Sequence, residues 1–173
     1  HLFVLDATLS MRHRHRGQQR FDRARAILER TVEASSDGDT FRLLVIRGAG
    51  SPLVIAQAAG RRSDVLEELS RLEPTWESGR EIETLEATLA LINTPAPSGR
   101  PRVSLVTDLQ RSAWQPPDQN RRDRLRALLR SIHQASELVV YDVGGPAASN
   151  AAVVKLESET PVAIAGEPVT LRA

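Results

Sequence analysis

The sequence predicts an α/β fold: a Rossmann-like, doubly wound and mostly parallel sheet with one antiparallel edge strand, followed by short C-terminal β strands. Two runs carry most of that reading. Leu2–Leu5 and Val103–Thr107 are short and largely apolar, and each leads into an acid, Asp6 or Asp108. Runs of that length and character suit strands covered on both faces, as in the interior of a parallel sheet. The third observation supplies the antiparallel edge. Phe41–Ile46 and Leu53–Ala56 are joined through Gly48-Ala-Gly-Ser-Pro52, whereas parallel neighbours need a crossover of a dozen or more residues.

The remaining elements follow in order. Arg12–Arg16 reads as a solvated basic loop rather than a metal site built on His13 and His15. From Gln19 to Ala34, Phe21, Ala24, Ile27, Leu28 and Val32 recur at helical spacing, and Ser35–Asp39 ends that helix with turn chemistry. Ser63 is the expected N-cap of the next helix, with Val65, Leu66, Leu69 and Leu72 as its buried stripe and Pro74 as its stop. The loop Pro74–Gly79 leads into a helix over Glu81–Ile92, and the Pro-rich stretch Asn93–Arg102 is a linker. Gln119–Ala135 sets Leu125, Leu128, Leu129 and Ile132 against an Arg-rich face, and Glu137–Val143 is a further core strand. Trp114 is expected to seal the sheet edge rather than to anchor a partner.

Composition excludes several classes. The net charge is +1, with Lys155 the only lysine, so no field of one sign argues for nucleic acid or anionic lipid. There is no Cys for a disulfide, a thiolate metal site or a nucleophile. No apolar run approaches the roughly 18 residues of a membrane span. The chain opens directly in a strand without an initiator Met, as a piece of something longer does.

The chemistry concentrates where the first strand ends, in Asp6-x-Thr8-x-Ser10. Strand ends of this kind are where open α/β sheets place their ligand sites. One carboxylate and two hydroxyls leaving a strand together suit a small hard cation, since Mg²⁺ takes oxygen ligands in an octahedron and keeps several waters.

Asp6-x-Thr8-x-Ser10, with Met11 after it, resembles the metal-ion-dependent adhesion site of von Willebrand factor type A domains, usually Asp-x-Ser-x-Ser. The second acid-ended strand, finishing Thr107-Asp108, resembles the matching motif on the neighbouring central strand. Val106-Thr-Asp-Leu-Gln-Arg-Ser-Ala-Trp114 is further similar to membrane-anchored bacterial members of the BatA (aerotolerance) kind. The likeness covers roughly residues 1 to 145. It implies a type A domain over 1–145 and a Mg²⁺ site (or Mn²⁺ or Ca²⁺) whose ligands include Asp6, Thr8 and Ser10, with Asp108 a second or water-mediated ligand. The family's additional Thr ligand follows a pair of glycines; here gap-free matching offers Glu83 and a one-residue slip offers Thr84, the residue kept in the expected set. Thr75 and Ser78 lie in the preceding loop, no glycine pair precedes any of these four residues, and Leu109 stands where the family often has Gly.

Residues 146–173 carry the apolar stretches Ala152–Leu156, Pro161–Gly166 and Val169–Leu171, which read as the start of a truncated immunoglobulin-like β-sandwich or as edge strands of the main sheet. The resemblance implies a non-enzymatic domain that binds a protein partner's acidic residue through the cation. The parent protein would be membrane-anchored, with the domain on the periplasmic or extracytoplasmic side. The alternative is a degenerate scaffold that binds no metal and serves complex assembly. A haloacid dehalogenase-type phosphotransferase also starts with a strand ending in Asp, but it needs a second Asp two residues on, where this chain has Thr8.

Overall fold

A computed structural model describes residues 1–94, 99–145, 157–158 and 171–172. Its centre is β1 (Leu2–Asp6), buried along its whole length because it lies between two parallel neighbours and under helices on both faces. The five-stranded sheet runs β5 (Leu53–Ala59), β4 (Phe41–Ile46), β1, β6 (Arg102–Thr107), β7 (Glu137–Asp142). All pairs are parallel except β4 with β5, the expected hairpin, whose register shifts twice.

Side chains alternate along a strand, so β1 feeds two cores. Phe3 and Leu5 pack with Phe21, Leu28 and Val32 of α1 (Arg20–Glu33) and with Val65 and Leu69 of α2 (Arg62–Arg71). Leu2 and Val4 point the other way, towards Leu85 of α3 (Glu81–Ile92) and Leu125, Leu128 and Ile132 of α5 (Gln119–Ala135). Each such Leu or Phe contributes roughly 1.5–3 kcal/mol on leaving water. A short helix, α4 (Arg111–Trp114), links β6 to α5, and Asp118 caps α5 by accepting from the Arg121 N–H at 2.6 Å.

Several expectations are corrected. Arg12–Arg16 is not a plain loop: a 3₁₀ turn over Leu9–Arg12 leads into a small hairpin, β2 (Arg14–His15) against β3 (Gln18–Gln19). Arg16 and Gly17 make its turn at φ 52° and 81°, the left-handed pair a two-residue hairpin needs. Ser63 is not the N-cap of α2; Arg61 holds that position and the Ser63 hydroxyl bonds Asp64 inside the first turn. β7 is an edge strand among the described residues, with Val140 44% exposed, so it is only half buried. Within the C-terminal segment, β8 (Glu157–Ser158) pairs antiparallel with β9 (Leu171–Arg172) in a ladder of its own. The expected strands Ala152–Leu156 and Pro161–Gly166, most of Val169–Leu171 and the centre of the Pro-rich linker lie outside the described residues. Among the described residues, no helix is long and apolar enough to cross a membrane.

Candidate functional site at the carboxyl rim

The parallel pairing of β1 with β6 brings the two acid-bearing ends side by side. Asp6 is the last residue of its strand and is buried with both oxygens engaged. Its Oδ1 accepts from the Thr8 N–H at 3.0 Å and the Thr8 hydroxyl at 2.7 Å, and its Oδ2 accepts from the Thr107 hydroxyl at 2.7 Å. The Thr8 and Ser10 hydroxyls are 3.1 Å apart. Burial pushes the Asp6 carboxyl above its ordinary range, opposed by the bonds from Thr107 and Thr8 and assisted by the charge of Asp108.

Thr107 is fully engaged. Besides donating to Asp6, its oxygen accepts from the Trp114 indole N–H at 3.1 Å and the Leu109 N–H at 3.3 Å. Trp114 is half-buried and packs on the α3/α5 side, in keeping with the sealing role expected of it. Leu109 adopts φ 49°, a left-handed conformation that explains why glycine suits this position in the resembling motif.

The loop between α2 and α3 closes the other side. Thr75 donates both its N–H (2.7 Å) and its hydroxyl (3.0 Å) to the Ala7 carbonyl, and the Leu9 N–H donates to the Glu77 carbonyl at 3.0 Å. Gly79 is required by close approach: a Cβ there would fall 2.5 Å from Ile46 Cγ2, 2.7 Å from Glu81 Oε1 and 2.8 Å from Thr8 Cγ2. The same contacts place the Glu81 carboxylate beside Thr8. Glu81 opens α3 with its side chain 4% exposed and accepts from Arg121 at 2.6 Å. Burial raises its carboxyl above the ordinary range, with Arg121 pulling it back and Asp6 adding to the rise.

Thr84, expected as a ligand, is placed one turn into α3, where its hydroxyl donates to the Arg80 carbonyl at 2.8 Å. Glu83 is exposed. The residues that sequence reasoning missed are Glu81, Arg121 and Arg20. Arg20, the first residue of α1, donates from Nη1 to Asp108 Oδ2 at 2.7 Å and reaches the Ser10 carbonyl at 3.4 Å. Above these groups opens a cleft of about 870 Å³ whose lining includes Thr8, Ser10, Arg20, Trp76, Glu81 and Arg121. Trp76 stands at the cleft, 73% exposed, with the Arg12 guanidinium 3.8 Å above its ring. Arg12 is itself fixed by donating to the Pro74 carbonyl at 2.7 Å.

Measured against an octahedral Mg²⁺ site, this donor set agrees at one edge and fails elsewhere. Ligands about 2.1 Å from the metal put neighbouring oxygens about 3.0 Å apart, which the Thr8 and Ser10 hydroxyls satisfy. The other expected donors are committed: Asp6 accepts three hydrogen bonds, Asp108 is paired with Arg20, and Thr84 serves its own helix. A guanidinium already links the Ser10 carbonyl to the Asp108 carboxylate, placing a fixed positive charge beside the position a cation would take. As a whole the set does not fit a resident divalent cation.

An open, mostly parallel sheet with helices on both faces and its polar site at the rim of two acid-ended central strands defines an α/β domain of the doubly wound class. The sequence profile of the von Willebrand factor type A domain matches residues 1–110, and the chain belongs to that family. Among solved structures it is similar to BatB from Bacteroides thetaiotaomicron, at 15% identity and TM-score 0.60, covering 80% of this chain and 63% of that one. An aerotolerance-related membrane protein from Bacteroides fragilis is similar at 14% identity and TM-score 0.65, covering 99% of this chain and 79% of that one. Proximal thread matrix protein 1 from the mussel byssus matches at 15% identity and TM-score 0.55, over 80% and 35% of the two chains. At these identities the likeness is one of fold. Among curated proteins no significant match is found.

Proposed function

We propose that this domain is a non-enzymatic protein-interaction module of a Bat-like, membrane-anchored bacterial protein, facing the extracytoplasmic side, and that it takes its partner at the rim cleft without a resident metal. The observation that carries the reading is Trp76. A tryptophan left 73% in water, yet held in place by a stacked Arg12, has the character of a partner anchor. Leu9 and Leu109, 48% and 41% exposed on neighbouring rim loops, extend the apolar contact around a polar cleft. A metal-bridged alternative, with Mg²⁺, Mn²⁺ or Ca²⁺ on Asp6, Thr8 and Ser10 meeting a partner's acidic residue, has the hydroxyl pair in its favour and the commitment of Asp108 to Arg20 against it.

The test is site-specific photo-crosslinking in the full-length protein in its own cells. Probes at Leu9 and Trp76 are compared with probes at Asp37 and Gly38, in the turn at the opposite end of the sheet. The expected result is a discrete protein adduct from the rim positions alone. Equal adducts from both ends, or none from the rim, would remove the proposal.

A further inference from the structure

Asp6 and Asp108 lie together beneath the cleft, and both side chains are withdrawn from water, that of Asp108 to 1% exposure. Neighbouring buried carboxylates require a compensating positive charge, since an uncompensated charge in the interior is far costlier than a paired one. At this rim the charge comes from the chain itself. Arg20 extends from the first turn of α1 with its side chain 12% exposed. Its Nη1 donates to Asp108 and reaches the Ser10 carbonyl, so one guanidinium ties the turn after β1 to the loop after β6. Those are the two loops that a cation shared by Ser10 and Asp108 would cross-link. Among the described residues the Nε of Arg20 is buried without an acceptor, a cost that the ion pair made by the same guanidinium helps to offset.

We propose that Arg20 is a built-in cation. It performs the charge compensation and the loop cross-linking that a divalent ion would otherwise perform, so the rim assembles without metal and acquires a response to metal only when Arg20 is removed. A guanidinium stays protonated at every physiological pH and cannot be exchanged or chelated. Partner binding at this cleft is therefore constitutive rather than gated by cation supply. The inference deepens the metal-free reading given above, and the two fail separately: crosslinking reports on the partner, cation response on Arg20.

The experiment compares wild type with Arg20→Gln, following thermal unfolding and isothermal titration with MgCl₂ and MnCl₂, and with EDTA as control. Wild type is expected to show no saturable heat and the same midpoint in millimolar cation and in EDTA. Arg20→Gln is expected to unfold on the order of 10 °C lower, the consequence of leaving a buried acid unpaired in a domain of this size. It is also expected to regain part of that loss, with a saturable heat, when cation is added. A wild type that binds Mg²⁺ as well as the variant does, or a variant as deaf to cations as wild type, overturns the proposal. Should Arg20→Gln fail to fold, Arg20→Gln/Asp108→Asn removes both charges. The proposal requires that double variant to fold and to ignore cations, and a double variant as unstable as the single one overturns it.

Discussion

The Thr107 hydroxyl ties the rim ends of the two central strands together through Asp6, and Thr107→Val isolates what it does. Valine keeps the shape and deletes the polar atom. Lost are a donor to the buried Asp6 carboxylate at 2.7 Å and the acceptor for the Trp114 indole at 3.1 Å and the Leu109 N–H at 3.3 Å. A hydrogen bond to a charged group is worth roughly 1.5–3 kcal/mol and each of the two neutral ones about 1 kcal/mol, so the total is about 3.5–5 kcal/mol at neutral pH. The loss should depend on pH. Burial raises the folded-state carboxyl of Asp6 above its ordinary value of 3.8, so the folded protein takes up that proton more readily than the unfolded chain. The group's contribution to stability is therefore fully present below pH 3.8 and is lost as pH rises through the raised value. The bond from Thr107 opposes the rise, so deleting it raises the carboxyl further and enlarges the penalty at neutral pH. Urea denaturation of wild type and variant, read by the two tryptophans, should give a larger difference at pH 7 than near pH 3.8, where the raised carboxyl of the folded protein holds its proton more fully. Thr107→Ser, which keeps the hydroxyl, should cost less than valine at pH 7. A valine penalty that is the same at both pH values, or larger in acid, would refute the claim that Asp6 is ionised against this hydroxyl.

Other substitutions probe the rest of the rim. Leu109→Gly should be neutral or stabilise by about 1 kcal/mol, because it releases a left-handed conformation that costs a non-glycine residue about that much; a drop in melting temperature would contradict it. Gly79→Ala should destabilise by about 1–3 kcal/mol, since its Cβ would overlap Ile46, Thr8 and the Glu81 carboxylate, and thermal melts read this directly. Arg121→Met should be costlier than Arg121→Met combined with Glu81→Gln, because the single change leaves a buried acid without its partner; equal melting temperatures for the two would show the pair to be idle. Trp76→Ala should leave stability within about 0.5 kcal/mol, as exposed side chains do, while abolishing the rim crosslink to a partner; a large stability loss would place Trp76 in the core instead.

The sheet was legible because its cause is local. An apolar run buried on both faces leaves a composition signal, and the short Gly/Pro connection to β5 admits only a hairpin. The adjacency of Asp6 and Asp108 followed from two acid-ended strands in the expected order. What was not legible is how those acids are neutralised. Arg20 and Asp108 are 88 positions apart, and an ion pair of that span leaves no periodicity, since one more Arg in an Arg-rich first turn looks like any solvated residue. Glu81 was hidden differently: an acid opening a helix is what the helix dipole favours anyway, so only the close approach at Gly79 shows that it is buried beside Thr8. The distinction bears on function. Asp6-x-Thr8-x-Ser10 marks where a site lies, because strand ends converge there in this fold whatever fills them. Whether that site carries an exchangeable ion depends on charges brought in by α1 and α5, and here both helices bring arginine. A family motif on the strand ends therefore locates the cleft without deciding its chemistry, and the deciding residues are the cations facing it.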